Sequence, residues 1–254
     1  MFRKLNKLTP RLAQLLCAVS LVFVTACAGS RPPAEGINDP YEAKNRAVHE
    51  ENLNIDRILV KPASRGYGSI IPQPVRKGVS NFSSNINLPG VVVNDLLQLN
   101  IPDALKNSTR FLFNSTIGLA GVLDPATAMG LPEESTDFGE TLYVWGVGEG
   151  PYVELPLLGP TTQRDMVGKV VDLFTNPIMY KLPDTERYLA TVAAVGSKLD
   201  DRYTYSNTVD SILYDSADSY AQARLLFLQH RRFQLSGGVV DESTDIFDEL
   251  YGNQ

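Results

Sequence analysis

Residue types that commonly carry out chemistry are sparse in this chain of 254 residues. Its two histidines, His49 and His230, stand in no HExxH or CxxC pattern that would supply the ligands of a zinc site. Gly146, Gly148 and Gly150 lack the full GxGxxG spacing of a dinucleotide loop, and no GxSxG serine elbow occurs. We therefore predict no metal, no cofactor and no catalytic residue. We interpret both histidines as polar helix residues and the three glycines as a loop with unusual backbone angles or freedom to hinge.

Cys27 is the residue whose chemistry is most specific. A basic segment without acids precedes an apolar stretch of 15 residues, 12–26, which is too short to cross about 30 Å of hydrocarbon comfortably. This pattern is typical of a secretory signal peptide over residues 1–26. Thr25 and Ala26 before the cysteine resemble the lipobox of bacterial lipoproteins, which implies that Cys27 becomes an acylated N-terminus. Ala28 in place of Asp then fits sorting to the outer membrane. An ordinary signal peptide with a chance cysteine is the alternative.

The composition of the remaining chain excludes several classes of protein. Without residues 1–26 the only cysteine is Cys27, so no internal disulfide can form. Of the 23 basic residues four lie in the signal peptide, which leaves 19 against 29 acids, a net charge of −10. That balance argues against binding to nucleic acid, since phosphate binding needs clustered Lys and Arg.

The elements predicted after the signal peptide are almost all helices. Small residues, Pro and Gly over 27–37 indicate a flexible, lipid-anchored tether, and residues 38–238 form a helical domain. The tail, 239–254, has five acids and no basic residue, and is predicted to be disordered. Convincing alternating strands are absent, so the sequence predicts an all-α fold.

Capping residues and prolines set the predicted helix boundaries. Asp39 caps a helix, and the stretch from Arg46 to about Leu59 continues it or forms a second helix, which Pro62 ends. Pro72 and Pro102 each open a further helix. Residues 130–160 form a loop-rich region with a short extended piece at most. Thr162 caps the next helix, with Asp165 as its partner. Two more helices are expected over 184–200 and 208–234, and the stretch 88–99 is either buried or faces lipid.

Several runs, in a fixed order over about 38–175, resemble the MlaA (VacJ) family of Gram-negative outer-membrane lipoproteins. They read Asn38-Asp39-Pro40-Tyr41-Glu42, Pro72-Gln73-Pro74-Val75-Arg76, Ser80-Asn81-Phe82, Val93-Asn94, Thr109-Arg110-Phe111, Asn114-Ser115-Thr116-Ile117-Gly118, Phe138-Gly139-Glu140-Thr141-Leu142 and Gly146-Val147-Gly148-Glu149-Gly150-Pro151. The likeness continues more weakly from Tyr220 to Gly238, and residues 176–215 have no clear counterpart.

The resemblance implies a ring-shaped assembly of amphipathic helices in the inner leaflet of the outer membrane, with a central amphipathic channel. Its members associate with trimeric porins and are not known as enzymes. They take mislocalised phospholipid from the outer leaflet and pass it to a periplasmic lipid carrier of the Mla pathway, which maintains lipid asymmetry. The alternative is a porin-associated scaffold lipoprotein that conducts no lipid.

Site residues follow from the resemblance together with the polarity of the helices. The resemblance places Gly146, Gly148 and Gly150 in a hairpin beside the channel, where they would act as its hinge loop. Polar residues within otherwise apolar helices are the candidates for the channel lining, namely Asn45, Asn81, Asn94, Thr109 and Asn114.

Overall fold

A computed structural model of the chain describes residues 37–237. The predicted signal peptide, Cys27, the acidic tail and all of the predicted tether except its last residue lie outside these residues, so those assignments stay predictions. From Asp39 onward, the described residues belong to one compact unit.

Between residues 37 and 237 the chain is mostly helical, which confirms the predicted fold class. The α-helices are α1 (Glu42–Ile55), α2 (Lys61–Ile70), α3 (Gln73–Leu97), α4 (Ile101–Thr116), α5 (Pro125–Ala128), α6 (Phe138–Val144), α7 (Gln163–Thr175), α8 (Asp184–Thr204), α9 (Ser206–Leu213) and α10 (Ser219–Leu235). A π-helical segment, Asp56–Val60, joins α1 to α2, and a 3₁₀ turn, Ile178–Tyr180, precedes α8.

A two-stranded antiparallel hairpin interrupts the helices. Strand β1 (Tyr152–Leu155) pairs with β2 (Gly159–Thr162), and Tyr152 lies opposite Thr162. The sequence predicted β1 as an extended piece, but it gave no indication of β2, which is rich in small residues and contains Pro160.

Local capping explains the helix starts that the sequence predicted. The Thr162 hydroxyl accepts a hydrogen bond from the Asp165 amide over 3.2 Å and so caps α7. Pro102 lies in the first turn of α4, where its missing N–H costs nothing, and Asn100 caps that helix by accepting from the Asp103 amide over 3.3 Å.

Three boundary predictions were wrong. Pro62 does not end the first helix, because the π-helical segment places it in the first turn of α2, where an N–H is not required. The predicted helix over 208–234 is broken after Leu213, and Asp218 caps a new helix by accepting from the Ala221 amide over 3.0 Å. The loop-rich region also contains α6, which Asp137 caps through the Glu140 amide over 2.8 Å.

Helix α3 is the central element of the packing. It contacts α4 along one side and α8 along another, while α6 packs against α7 and α2 against α8. The α6–α7 contact is a close approach of backbones, since a Cβ on Gly168 would lie 2.3 Å from the Gly139 nitrogen. Within the described part of the chain, no helix is both long enough and apolar enough to cross a membrane.

Candidate functional site

Burial in the described residues is inverted relative to an ordinary soluble domain, in which charged side chains are almost never fully buried. Arginines that are less than a tenth exposed are Arg76, Arg110, Arg164, Arg202 and Arg231. Large apolar side chains that are mostly exposed include Ile58, Leu99, Leu119, Leu157, Leu173 and Phe174. Many polar and charged side chains thus lie inside, where the arginines are paired with carboxylates, and many large apolar side chains lie outside.

Helix α7 shows this inversion within one element. Its apolar residues include Val170 and Phe174, which are 54% and 68% exposed. Its buried face instead contains Arg164, Asp165 and Gly168. An apolar stripe ordinarily turns toward the core of a soluble domain, whereas in α7 apolar residues lie on the exposed side.

A small polar cavity lies between α3 and α4. Its volume is about 30 Å³, enough for one or two water molecules. It is lined by Asn81, Ser84, Asn85, Leu88, Arg110, Asn114, Asp124 and Glu133. Two buried atoms of these residues, Asn85 Oδ1 and Arg110 Nε, have no hydrogen-bond partner within residues 37–237. Buried polar groups without a partner are uncommon, and here they leave hydrogen-bonding capacity beside a cavity that has room for water.

Two of the five predicted lining residues meet in this cavity. Asn81 donates from Nδ2 to the Val122 carbonyl over 3.1 Å, and Asn114 donates to Asp124 Oδ1 over 3.0 Å. Arg110, which the sequence analysis did not select, holds the other side of Asp124 with Nη2 at 3.2 Å from Oδ2. The ion pair and the amide fix the shape of the cavity and keep its wall hydrophilic.

Asn94 and Thr109 lie away from this cavity. Asn94 is buried and donates to Asp172 Oδ1 over 3.0 Å, while its Oδ1 accepts from the Thr141 hydroxyl over 3.1 Å. It therefore joins α3 to α6 and α7. Thr109 is half-buried and its hydroxyl donates to the Leu105 carbonyl of its own helix over 2.8 Å.

Asn45 does not line this cavity either, and it holds α1 against the hairpin. Its Nδ2 donates to Asp39 Oδ1 over 2.9 Å and to the Tyr152 carbonyl over 3.2 Å, and its Oδ1 accepts from the Glu154 amide over 3.0 Å. Both N–H donors of the amide and its oxygen thus bond to the protein itself. The structure thus assigns Asn45 a structural contact, and the predicted N-terminal cap by Asp39 is wrong because this carboxylate turns inward to Asn45.

A buried network continues from Asp39 and Glu154. Arg224 and the Tyr220 hydroxyl both bond Asp39 Oδ2, and burial together with that bond raises the pKa of Tyr220. His49 lies between Glu154 Oε1, 3.2 Å from Nδ1, and the Ser219 hydroxyl, 3.1 Å from Nε2. This histidine is a buried link between α1, the hairpin and α10, whereas His230 is exposed. Within residues 37–237 no cluster of three metal-ligating side chains occurs.

The three glycines of the predicted hinge loop differ from one another. Gly146, with φ +85°, ends α6 in a left-handed cap, since its amide donates to the Tyr143 carbonyl over 2.8 Å and the Val147 amide to that of Leu142 over 2.9 Å. Gly150 has φ +72° and packs against Gln163. Between them Glu149 forms a two-pronged ion pair with Arg232, both contacts at 2.9 Å.

The loop is therefore anchored at both ends. Gly148 is exposed and lies between the capped end at Gly146 and the paired end at Glu149. The hinge role of the three glycines stays a prediction.

One buried carboxylate, Asp95 of α3, and one half-buried carboxylate, Glu140 of α6, have shifted pKa values. Asp95 is 2% exposed and accepts from Asn107 Nδ2 over 2.8 Å; burial raises its pKa, and Asp103 and Glu134 add to the shift by repulsion. Burial also raises the pKa of Glu140, which accepts from the Thr136 hydroxyl over 2.9 Å. Both groups carry unfavourable charge inside the fold.

Comparison with known proteins identifies the family. The family model described as MlaA lipoprotein matches residues 37–234. The chain belongs to the MlaA lipoprotein family. The match to the MlaA model runs through residues 176–215, for which the sequence runs had indicated no counterpart.

Several proteins similar to this MlaA-family chain cover most of its length. An uncharacterized protein of Rickettsia felis is 39% identical over 189 residues, 74% of each chain. The intermembrane phospholipid transport system lipoprotein MlaA of Escherichia coli is 33% identical over 228 residues, 87% of this chain and 88% of the relative. The protein of the same name from Haemophilus influenzae is 29% identical over 236 residues, 91% of this chain and 93% of the relative.

A solved structure shares the MlaA fold. It comes from work on the structural basis for maintenance of bacterial outer membrane lipid asymmetry. Its sequence is 31% identical, the TM-score is 0.68, and the match covers 78% of this chain and 98% of that chain. The sequence-based recognition of the family and of its mainly helical fold is thus confirmed.

Proposed function

We propose that this chain is the outer-membrane lipoprotein of a retrograde phospholipid transport system. It removes mislocalised phospholipid from the outer leaflet, passes it to a periplasmic carrier, and so maintains lipid asymmetry. The names of the E. coli and H. influenzae relatives support transport of phospholipid between membranes. The solved structure's subject supports the link to outer-membrane asymmetry.

The observation that carries the proposal is the inverted burial of the helices. Exposed Val170 and Phe174 and buried Arg164 and Asp165 suit a domain seated among acyl chains of one leaflet, with polar groups turned inward. Membrane proteins place buried charge toward a bundle interior or a wet cavity, as here between α3 and α4.

The physical role of such an arrangement is to lower a barrier without covalent chemistry. A charged headgroup crosses hydrocarbon only at high cost, because it loses its hydration there. A passage with amides and hydroxyls, such as those of Asn81, Ser84 and Asn114, replaces part of that hydration. The acyl tails stay in contact with apolar surface. This task needs no nucleophile, metal or cofactor, and we propose that the chain is not an enzyme.

The proposal also assigns the protein a location and binding partners. Acylation of Cys27 anchors the protein in the inner leaflet of the outer membrane, facing the periplasm, and the helices form a ring around an amphipathic channel. Trimeric porins hold it in place, and a periplasmic lipid carrier of the Mla pathway receives the phospholipid. Gly146, Gly148 and Gly150 form the hinge loop of the channel.

Deletion of the gene tests the function. Intact cells without the protein should expose more phospholipid to externally added phospholipase and become sensitive to detergent with chelator, and the intact gene on a plasmid should reverse both effects. The Cys27→Ala chain should fail to restore asymmetry because, without its acyl anchor, it is not held in the outer membrane. Unchanged outer-leaflet phospholipid in a clean deletion would contradict transport. If porin complexes were then disturbed as well, a scaffold without lipid-conducting activity would be the better account.

A further inference from the structure

A second, much larger cleft opens beside the start of α3. Its volume is about 700 Å³, and it lies between the first two turns of α3 and the junction of α8 with α9. The residues that matter for its chemistry are Arg76, Lys77, Ser80, Asp200, Asp201 and Tyr205. The cleft thus contains two cations and two carboxylates beside hydroxyl groups and an aromatic ring.

Two of these four charged side chains already pair with each other. Arg76 pairs with Asp200 through Nη1, and its Nε donates to the Ile71 carbonyl over 3.0 Å. The guanidinium also lies 5.0 Å from the ring centroid of Tyr203. Arg76 and Asp200 therefore form a rigid, neutral wall.

The other two charges are available to a ligand. Lys77 is exposed and forms no ion pair with any residue between 37 and 237. Asp201 pairs only with Lys198 over 3.4 Å, and these two side chains are 52% and 85% exposed. Exposed pairs of this kind contribute little and exchange readily. The cleft therefore presents one free ammonium group and one readily freed carboxylate.

The cleft and the small polar cavity both border α3. Gln73, Lys77 and Ser80 line the cleft, and Asn81, Ser84 and Leu88 line the cavity. Steps of three and four residues keep these positions on one face of α3. Between positions 73 and 88 that face extends about 22 Å at 1.5 Å per residue. The cleft and the cavity therefore lie along the same stretch of α3, and the residues that line the cavity carry the unpartnered atoms Asn85 Oδ1 and Arg110 Nε.

We propose that the cleft binds the headgroup of a zwitterionic phospholipid, a phosphodiester linked to a primary amine. Lys77 binds the phosphate, with Ser80 as a donor, and Asp201 binds the ammonium group against the face of Tyr205. A headgroup with no net charge matches a cleft with one cation and one anion to offer. An anionic headgroup without an amine gains no contact with Asp201 and is repelled by it, so the site favours phosphatidylethanolamine over phosphatidylglycerol. This inference rests on the proposed function and assigns it a substrate class.

Binding of fluorescent phospholipids to the full-length protein in detergent micelles tests the site. The probes are phosphatidylethanolamine and phosphatidylglycerol, labelled on one acyl chain, with inorganic phosphate as competitor. We expect Lys77→Ala to weaken binding of both lipids about tenfold, as loss of a charge-assisted bond does. Asp201→Asn should weaken phosphatidylethanolamine about threefold and leave phosphatidylglycerol unchanged or tighter.

Matched controls separate a site from general electrostatics. Lys44→Ala removes an exposed lysine of α1, and Asp184→Asn removes an exposed acid that pairs over 3.4 Å with Arg187 three residues on, as Asp201 does with Lys198. Neither should change lipid binding. The headgroup site is overturned if the controls act like the cleft variants, if the unaltered protein binds both lipids equally, or if Asp201→Asn affects both lipids alike. Displacement by millimolar inorganic phosphate alone would likewise overturn it, because the cleft would then be a phosphate site without lipid specificity.

The gene deletion distinguishes a failure of the proposed headgroup site from a failure of the proposed transport function. If the deletion raises outer-leaflet phospholipid and the Lys77→Ala, Asp201→Asn chain binds lipid and restores asymmetry normally, the cleft assignment is wrong and transport stands. If the deletion has no effect on asymmetry, the proposed function itself fails.

Discussion

The hairpin end and the α3–α4 cavity both bury polar side chains, but they use them differently. At the hairpin end, made of α1, β1, β2 and α10, the Asn45 amide and the Asp39 carboxylate are fully engaged by the protein. In the α3–α4 cavity, Asn85 Oδ1 and Arg110 Nε have no partner among the described residues. The hairpin end also contains unpartnered atoms, Thr161 Oγ1 and Arg224 Nε. The two regions therefore differ in that Asn85 and Arg110 line a cavity, where unsatisfied groups leave capacity for water or a passing headgroup.

The largest effect should come from breaking the hairpin end. Asp39→Ala leaves Arg224 without its buried partner and removes acceptors of Asn45 and Tyr220. We expect the free energy of unfolding to fall by about 3–5 kcal/mol, measured by denaturant titration in detergent. Asp184→Ala, whose side chain is 99% exposed, is the control and should change almost nothing. Equal effects of the two variants would mean that the hairpin end is not held by this network.

A variant in the cavity should instead reduce transport and leave stability almost unchanged. Asn81→Leu adds an apolar side chain to its wall and removes only the bond to the Val122 carbonyl. We expect restoration of lipid asymmetry to fall about tenfold while the free energy of unfolding changes by no more than about 1 kcal/mol. Asn87→Leu is the matched control, an exposed asparagine of the same helix outside the cavity. Loss of stability without loss of transport would reverse the assignment of the two regions.

The glycine loop gives a third comparison, between its anchored ends and its centre. Gly148→Pro fixes φ near −65° in the centre of the loop. We expect transport to be blocked while copurification of trimeric porins is unchanged. Gly148→Ala, which keeps most backbone freedom, is the control and should restore asymmetry. A Gly148→Pro chain that transports normally would show that the loop is not a hinge.

The smallest effect concerns the buried carboxylate of α3. Burial raises the pKa of Asp95 in the folded chain, so its ionised form destabilises the fold above that pKa and the penalty disappears as the pH falls through it. Asp95→Asn should therefore raise the midpoint of thermal unfolding at pH 7, by about 2–4 °C for each kcal/mol regained. The difference between the two chains should shrink as the pH is lowered. A lower unfolding midpoint for Asp95→Asn than for the unaltered chain at pH 7 would contradict the conclusion that the ionised carboxylate destabilises the fold.

The sequence predicted those features of the fold that depend on contacts between residues close together in the chain. The capped start of α7 at Thr162 could be predicted because cap and partner are three residues apart. The passage of the helix through Pro62 could not, since it depends on a π-helical segment whose register is set by Arg202, bound to Asp56 over 2.8 Å and 146 residues away.

The same limit applies to the candidate site. Asn45, Asn81 and Asn114 share one sequence signature, a polar residue in an otherwise apolar or amphipathic helix. Only the structure separates them, because Asn45 finds its partners 107 and 109 residues away in β1, while the other two face the cavity. Arg76 and Lys77 lay within a run that resembled the family, but nothing local indicated that α8 and α9 would complete a cleft around them.

Loss of labelled phospholipid from the outer leaflet of living cells tests the central claim most directly. A short-chain fluorescent phospholipid is inserted from outside, and its transfer out of that leaflet is followed in cells with the protein, without it, and with Asn81→Leu. We expect fast loss of the labelled phospholipid in cells with the unaltered protein and slow loss in cells without it or with Asn81→Leu. Cells with Asn87→Leu should lose the label as fast as cells with the unaltered chain. Equal rates in the presence and absence of the protein would contradict it.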